Sequence, residues 1–236
     1  MRGVGGLVVV GWFEDIESVS STIMAIFNGK FMPEALSLVT GDSATNLVRE
    51  IAGDSMPGES SSGNPVAVFA RCAGGSPAVA RQVDELTSLY GSEMATGMEV
   101  LDGSDADRSW DSLAPSAAPD LSLRATLKPS DALKLASDLG ASAVPPANLI
   151  LHAGYGTLVA NWDGVADETA GTIHLTATEM TRGYGVNALW ERCPALIKQD
   201  IDVWGIPRPE LAIARRLKEQ FDPRGTLNAG RFMGKI

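Results

Sequence analysis

Three times in this chain a short β-branched, apolar run gives way to a segment whose apolar residues recur at helical spacing. That alternation limits the chain to a layered sheet-and-helix architecture. The first run, Leu7-Val8-Val9-Val10-Gly11-Trp12-Phe13, predicts a strand, and a helix follows with Ile16, Val19, Ile23, Ile26 and Phe27 on one face. Glu14 and Asp15 suit the positive end of that helix's dipole, Asn28-Gly29 supplies its stop, and Ala35 to Thr40 returns as a strand. The second unit has a strand from Val66 to Arg71 and a helix opened by Ser76-Pro77, with Val79, Val83, Leu86 and Tyr90 inward and Gly91 at its end. Its returning strand lies within Glu93 to Leu101. The third opens on Leu121 to Leu127, where apolar residues alternate with period two, and continues with a helix over Asp131 to Leu139, Ser130 as its N-cap and Gly140 as its stop. Asn148 to His152 and Thr157 to Trp162 then read as two strands of a hairpin joined by Ala153-Gly154-Tyr155-Gly156.

The remaining segments are less uniform. Ser43 to Ile51 and Asp105 to Leu113 read as short helices, Asn187 to Arg192 as a strand, and Gly53 to Asn64, rich in turn formers, as a surface loop. Residues 165–183 stay ambiguous, because Thr169, Thr172 and Thr176 weaken a helix that the ends would permit. Pro209 to Gln220 is the clearest helix, with Leu211, Ala214, Leu217 and Phe221 as its inner stripe. Together these elements predict an α+β fold. Ferredoxin-like strand–helix–strand units form a largely antiparallel sheet with helices packed on one face, in a single domain over residues 1–236.

Charge and composition exclude several functions. Nineteen basic residues stand against 29 acidic ones, and a net charge of −10 repels phosphate backbones and anionic lipid, so neither nucleic-acid binding nor membrane insertion is expected. No stretch reaches the ~18–20 apolar residues of a membrane-spanning helix. The start of the chain, with one basic residue and a short apolar run, does not read as a signal peptide. Cys72 and Cys193 are too few for a disulfide framework or a cysteine zinc site. The expectation is a soluble, cytoplasmic protein with reduced thiols.

A self-contained active site is hard to find. His152 and His174 sit in no metal-ligand spacing, there is no Gly-x-Ser-x-Gly elbow or phosphate loop, and Gly3-Val4-Gly5-Gly6 precedes a strand instead of following one. Three features remain. In His152-Ala153-Gly154-Tyr155-Gly156, two glycines either let the backbone pass close to a flat ligand or simply make a tight hairpin. Arg124 shares a strand face with Ser122 and Thr126, where it either takes a carboxylate bidentately or belongs to a solvated sheet face. The third is the C-terminal run Leu217-Lys218-Glu219-Gln220-Phe221-Asp222-Pro223-Arg224-Gly225-Thr226-Leu227-Asn228-Ala229-Gly230-Arg231-Phe232.

That run resembles the ending of FAD-linked oxidases of the vanillyl-alcohol-oxidase superfamily: a helix, Phe-Asp-Pro, a glycine turn, then Leu-Asn-Pro-Gly-Arg. Upstream, Asp202-Val203-Trp204-Gly205 is similar to the segment before that helix in the glycolate oxidase FAD-binding subunit. Ala229 stands where the family has proline, which should loosen the turn. The family's glycine-rich FAD-binding half has no counterpart here. His152-Ala153-Gly154-Tyr155-Gly156 looks like a remnant of the family's Gly-His-x-Gly-Asp-Gly-Asn-x-His motif without its second histidine and aspartate, so no metal is expected.

The resemblance implies a cap, or substrate, domain of an FAD-dependent oxidoreductase acting on a small 2-hydroxy acid such as glycolate. Arg124, His152 and Tyr155 would contact substrate, and Asn228 and Arg231 would lie near the flavin. The FAD itself would be bound mainly by another domain or subunit, with other oxidase subunits as further partners, and the chain alone would be inert. The alternative is a non-enzymatic ferredoxin-like binding or assembly module.

Overall fold

The computed structural model describes residues 6–30, 33–53, 66–93, 95–113, 118–142, 144–205 and 209–236. The loop expected at Gly53 to Asn64 lies almost wholly outside them. Eight strands run in chain order: β1 (Leu7–Phe13), β2 (Ala35–Val39), β3 (Val66–Cys72), β4 (Gly97–Leu101), β5 (Leu121–Thr126), β6 (Asn148–His152), β7 (Thr157–Trp162) and β8 (Leu189–Arg192). Between and after them lie α1 (Ile16–Phe27), α2 (Gly41–Ala52), α3 (Ser76–Ser92), α4 (Gly103–Asp111), α5 (Pro129–Ala141), α6 (Asp167–Gly183), α7 (Ala195–Asp200) and α8 (Leu211–Phe221).

All eight strands join one sheet in the order β4-β1-β3-β2-β6-β7-β5-β8, and every neighbouring pair is antiparallel. The order resolves into two ferredoxin-like halves. In the first, β1-α1-β2 and β3-α3-β4 interleave as β4-β1-β3-β2; in the second, β5-α5-β6 and β7-α6-β8 interleave as β6-β7-β5-β8. The second order is the first read backwards, so the two halves meet through their second strands. Along that seam Ser37 faces His152, Leu38 faces Leu151 and Val39 faces Ile150.

Alternation along the strands sends side chains to two cores. Leu36 and Leu38 of β2, Leu149 and Leu151 of β6, and Leu158 and Ala160 of β7 pack with Val19 and Ile23 of α1, Leu86 of α3, Leu135 of α5 and Ile173 of α6. The opposite face is capped only in part: Val10, Val39, Phe69 and Ile150 meet Leu47 and Val48 of α2 and Ala106 of α4. Four helices therefore share one face as expected, and the structure adds α2 and α4 on the other. Local signals explain the starts of α1 and α5. Asp15 caps α1 by accepting the Ser18 amide at 2.8 Å. Pro129 occupies the first turn of α5, which places Ser130 inside that helix and not at its N-cap.

The ambiguous segment 165–183 is a helix. Ala170, Ile173, Ala177 and Thr181 of α6 are buried against the first core, and that packing outweighs the β-branched threonines. In α8 the expected inner stripe is inner only at Leu211. Leu217 is 50% and Phe221 75% exposed, so the helix exists but most of its apolar face is uncovered. Among the described residues no helix is long and apolar enough to cross a membrane.

Candidate functional site

The β6–β7 hairpin places His152 and Tyr155 together. Their rings stack with centroids 5.4 Å apart and planes 16° from parallel. They line a hollow of about 410 Å³ that also takes Glu34 and Ser37 from the first half of the fold and Trp110 from α4. Ser37 Oγ lies 3.0 Å from His152 Nδ1, a hydrogen bond across the seam between the halves. Burial lowers the His152 pKa, and the charge of Arg124 lowers it further, so both favour the neutral imidazole. Glu34 is held by Arg71 at 3.2 Å.

The two glycines of this hairpin differ. Gly156 has φ +70°, and a Cβ there would stand 1.9 Å from the carbonyl oxygen of Leu127. Its carbonyl accepts the Leu127 amide at 2.9 Å. The close backbone approach foreseen for a flat ligand is thus, at Gly156, an approach of the chain to its own β5–α5 connection. Gly154 has open space around it and lines the hollow.

Arg124 lies on the face of β5 shared with Ser122 and Thr126, which is the face of His152 on β6. Its guanidinium grips Glu191 of the edge strand β8 with both oxygens engaged: Nε donates to Oε1 at 2.6 Å and Nη2 to Oε2 at 3.2 Å. Ser122 donates to Asn161 Oδ1 at 2.8 Å, and the Thr126 and Thr157 hydroxyls lie 3.1 Å apart. The outcome is a polar strip in which Ser122, Asn161 and Thr157 are buried while Arg124 and Glu191 stay in contact with solvent.

Asn228 and Arg231 line a different hollow, of about 500 Å³, with walls from Trp204, Leu217, Leu227 and Phe232. Its shape is set by two aspartates. Asp222, just after α8, accepts the Thr226 and Leu227 amides at 2.9 and 2.8 Å and the Lys218 ammonium at 2.7 Å. Lys218 first, then those amides, hold its carboxyl well below the ordinary range. Asp202 accepts the Trp204 amide at 3.0 Å and the Gly234 amide at 2.6 Å, binding the chain end to the segment before α8. The Trp204 indole donates to the Arg231 carbonyl at 3.1 Å and meets the Phe232 ring edge-on at 5.0 Å. Asn228 sits at φ +47°, a left-handed conformation asparagine tolerates, and its carbonyl takes the Arg231 amide at 3.0 Å, so the turn closes without the family's proline. The Arg231 guanidinium has no ion-pair partner among the described residues.

The five residues singled out in the sequence therefore fall in three places: His152 and Tyr155 in the seam hollow, Arg124 on the strip beside it, and Asn228 and Arg231 in the tail hollow. Sequence reasoning missed Glu34, Ser37, Trp110 and Glu191, which only the strand order and a kink in β8 bring into place. Asp202, Trp204 and Asp222 were within the quoted motifs, and the structure gives them the task of shaping the tail. Among the described residues no group of three or more His, Cys, Asp and Glu side chains comes together.

No family model matches the chain, and no curated protein sequence matches it. Solved structures do share its fold. Over 93% of its length it is similar to alkyldihydroxyacetonephosphate synthase in a P212121 crystal form, at 12% identity and a TM-score of 0.52. A P1 form of the same enzyme gives 94%, 12% and 0.50. The chain spans 43% of the length of those chains, and what it shares with them is the fold.

Proposed function

We propose that this chain is the cap region of an FAD-dependent oxidoreductase that oxidises a small 2-hydroxy acid such as glycolate, and that it works only with an FAD-binding domain or subunit. The observation that carries this reading is the tail: Asn228 and Arg231 both face an open, aromatic-walled hollow. The fold shared with alkyldihydroxyacetonephosphate synthase, an FAD-linked oxidase-family member, supports the flavoenzyme theme. The 2-hydroxy acid comes from the likeness of the tail and of Asp202-Val203-Trp204-Gly205 to the glycolate oxidase subunit.

The residues present fit one side of a flavin site and not the whole of it. Trp204, Phe232, Leu217 and Leu227 offer apolar cover for a planar ring, and Arg231 offers a cation beside it. Gly74-Gly75, between β3 and α3, is not the Gly-x-Gly-x-x-Gly pattern that cradles a pyrophosphate, and most of the cofactor falls to the partner. When bound, FAD supplies the hydride acceptor. This chain's part is to position substrate: Arg124 takes the carboxylate, neutral His152 is in the form that accepts a hydroxyl proton, and Tyr155 closes the side of the hollow. The exposed Leu217, Phe221 and Leu227 are surface for the partner.

Recombining the chain with a candidate FAD-binding half and assaying a panel of 2-hydroxy acids tests the reading. The expected result is flavin retained on the complex and oxidation of glycolate or a near relative, with Arg231→Ala impairing flavin retention or turnover. A complex that keeps no flavin and oxidises no member of the panel overturns it in favour of the binding-module alternative. Unchanged kinetics in Arg231→Ala remove that residue from the site.

A further inference from the structure

We infer that Glu191 is a resident stand-in for a ligand carboxylate, seated on Arg124 and displaced when a small carboxylic acid binds. It thereby sets how tightly Arg124 takes an acid. The inference rests on the cap reading for the identity of the acid, and on geometry for the rest.

Three observations carry it. First, the contact has the two-pronged form in which a guanidinium receives any free carboxylate, with Nε and Nη2 each on a separate oxygen. Second, Glu191 is the extra residue of a β-bulge. Trp190 pairs with Leu123 and Arg192 with Ser122, which leaves Glu191 without a partner in the ladder and free to turn its carboxylate onto Arg124. Bulges on edge strands recur where a side chain is re-aimed at a site. Third, the pair lies on the same face as His152, with both side chains still reachable by solvent at 41% and 35%. Arg124 and His152 stand on that face with β7 between their strands.

An acid arriving at Arg124 exchanges one carboxylate for another, so occupancy is governed by the difference between the two. Removing the charge of Glu191 while keeping its shape lifts the competition. The experiment is a titration of the intact chain with glycolate, followed by NMR at the arginine Nε–H signals, for wild type, Glu191→Gln, Glu191→Ala and Arg124→Met. Glycolamide serves as the uncharged isostere. Releasing a half-exposed ion pair should tighten glycolate by about fivefold in both Glu191 variants. Arg124→Met should abolish the response, and glycolamide should give none. Urea melts of all four proteins confirm that they are folded, and the two Glu191 variants cover for each other if one is not. Tightening of less than about threefold in the folded variants, or binding that survives Arg124→Met, overturns the inference. Its fate is separable from that of the cap reading: carboxylate binding at Arg124 requires no flavin partner. Conversely, a recombined oxidase whose KM for glycolate is unmoved by Glu191→Gln would uphold the cap and reject the stand-in.

Discussion

Replacing Gly156 by alanine puts the geometry of the hairpin to a quantitative test. At φ +70° an alanine pays a left-handed backbone penalty of about 1–2 kcal/mol, and its methyl would lie 1.9 Å from the Leu127 carbonyl oxygen, backbone that no rotamer change can clear. Relieving that overlap means moving the β5–α5 connection away from the hairpin, at the expense of the bond from the Leu127 amide to the Gly156 carbonyl. Overpacking of this kind costs about 1–3 kcal/mol. The sum, roughly 2–5 kcal/mol, is a large fraction of the ~5–15 kcal/mol that holds a domain folded. Gly154→Ala, two residues away, meets nothing within 4 Å and needs no left-handed backbone, so it should fall within about 0.5 kcal/mol of wild type. Urea unfolding followed by tryptophan fluorescence gives both values side by side. Equal stabilities for the two variants would refute the reasoning, because it would mean that the hairpin does not press against Leu127 as described.

Two further outcomes follow from the titrating groups. The Asp222 carboxyl is held below its ordinary value of 3.8, so its contribution to the tail is complete above that pH and is lost as pH falls beneath it. The protection factors of the Thr226 and Leu227 amides, exchange rates corrected for the intrinsic pH dependence, should therefore fall in strong acid in wild type and already be low at neutral pH in Asp222→Asn; equal protection in the two proteins at pH 7 would contradict this. Burial pushes the Cys72 thiol up to about 11 and raises that of Cys193 as well. Ellman's reagent at pH 8 should leave both thiols unmodified in the folded protein and label both in denaturant, and rapid labelling of the native chain would show that the core around Cys72 opens.

The hairpin was legible residue by residue, since period-two alternation and a glycine-bearing link are local signals that the final fold leaves intact. The same holds for β1, whose bounds match the apolar run. What the sequence concealed was long-range. Nothing near residues 35–39 or 148–152 announces that β2 and β6 pair, yet that pairing brings Ser37 to His152. Arg124 reads locally as either a carboxylate receptor or part of a solvated sheet face, and the carboxylate it holds lies 67 positions along the chain, on a strand whose pairing no local pattern encodes. In α8 the helical period predicted a stripe correctly and could not say that this chain leaves most of it bare, because periodicity records which face avoids water and not which molecule covers it. At α6 the threonines misdirected propensity, and tertiary packing decided.

The join between β2 and β6 has a mechanical meaning. Three residue pairs of the two strands join the duplicated halves along that line, the Thr40 amide extends them to the Leu149 carbonyl at 2.9 Å, and the Ser37–His152 hydrogen bond lies toward the other end. A molecule resting on His152 and Tyr155 on one side and on Glu34 and Ser37 on the other touches both halves at once. Such a molecule rivets the duplication, and any slack between the halves would register first as a lengthened bond at His152.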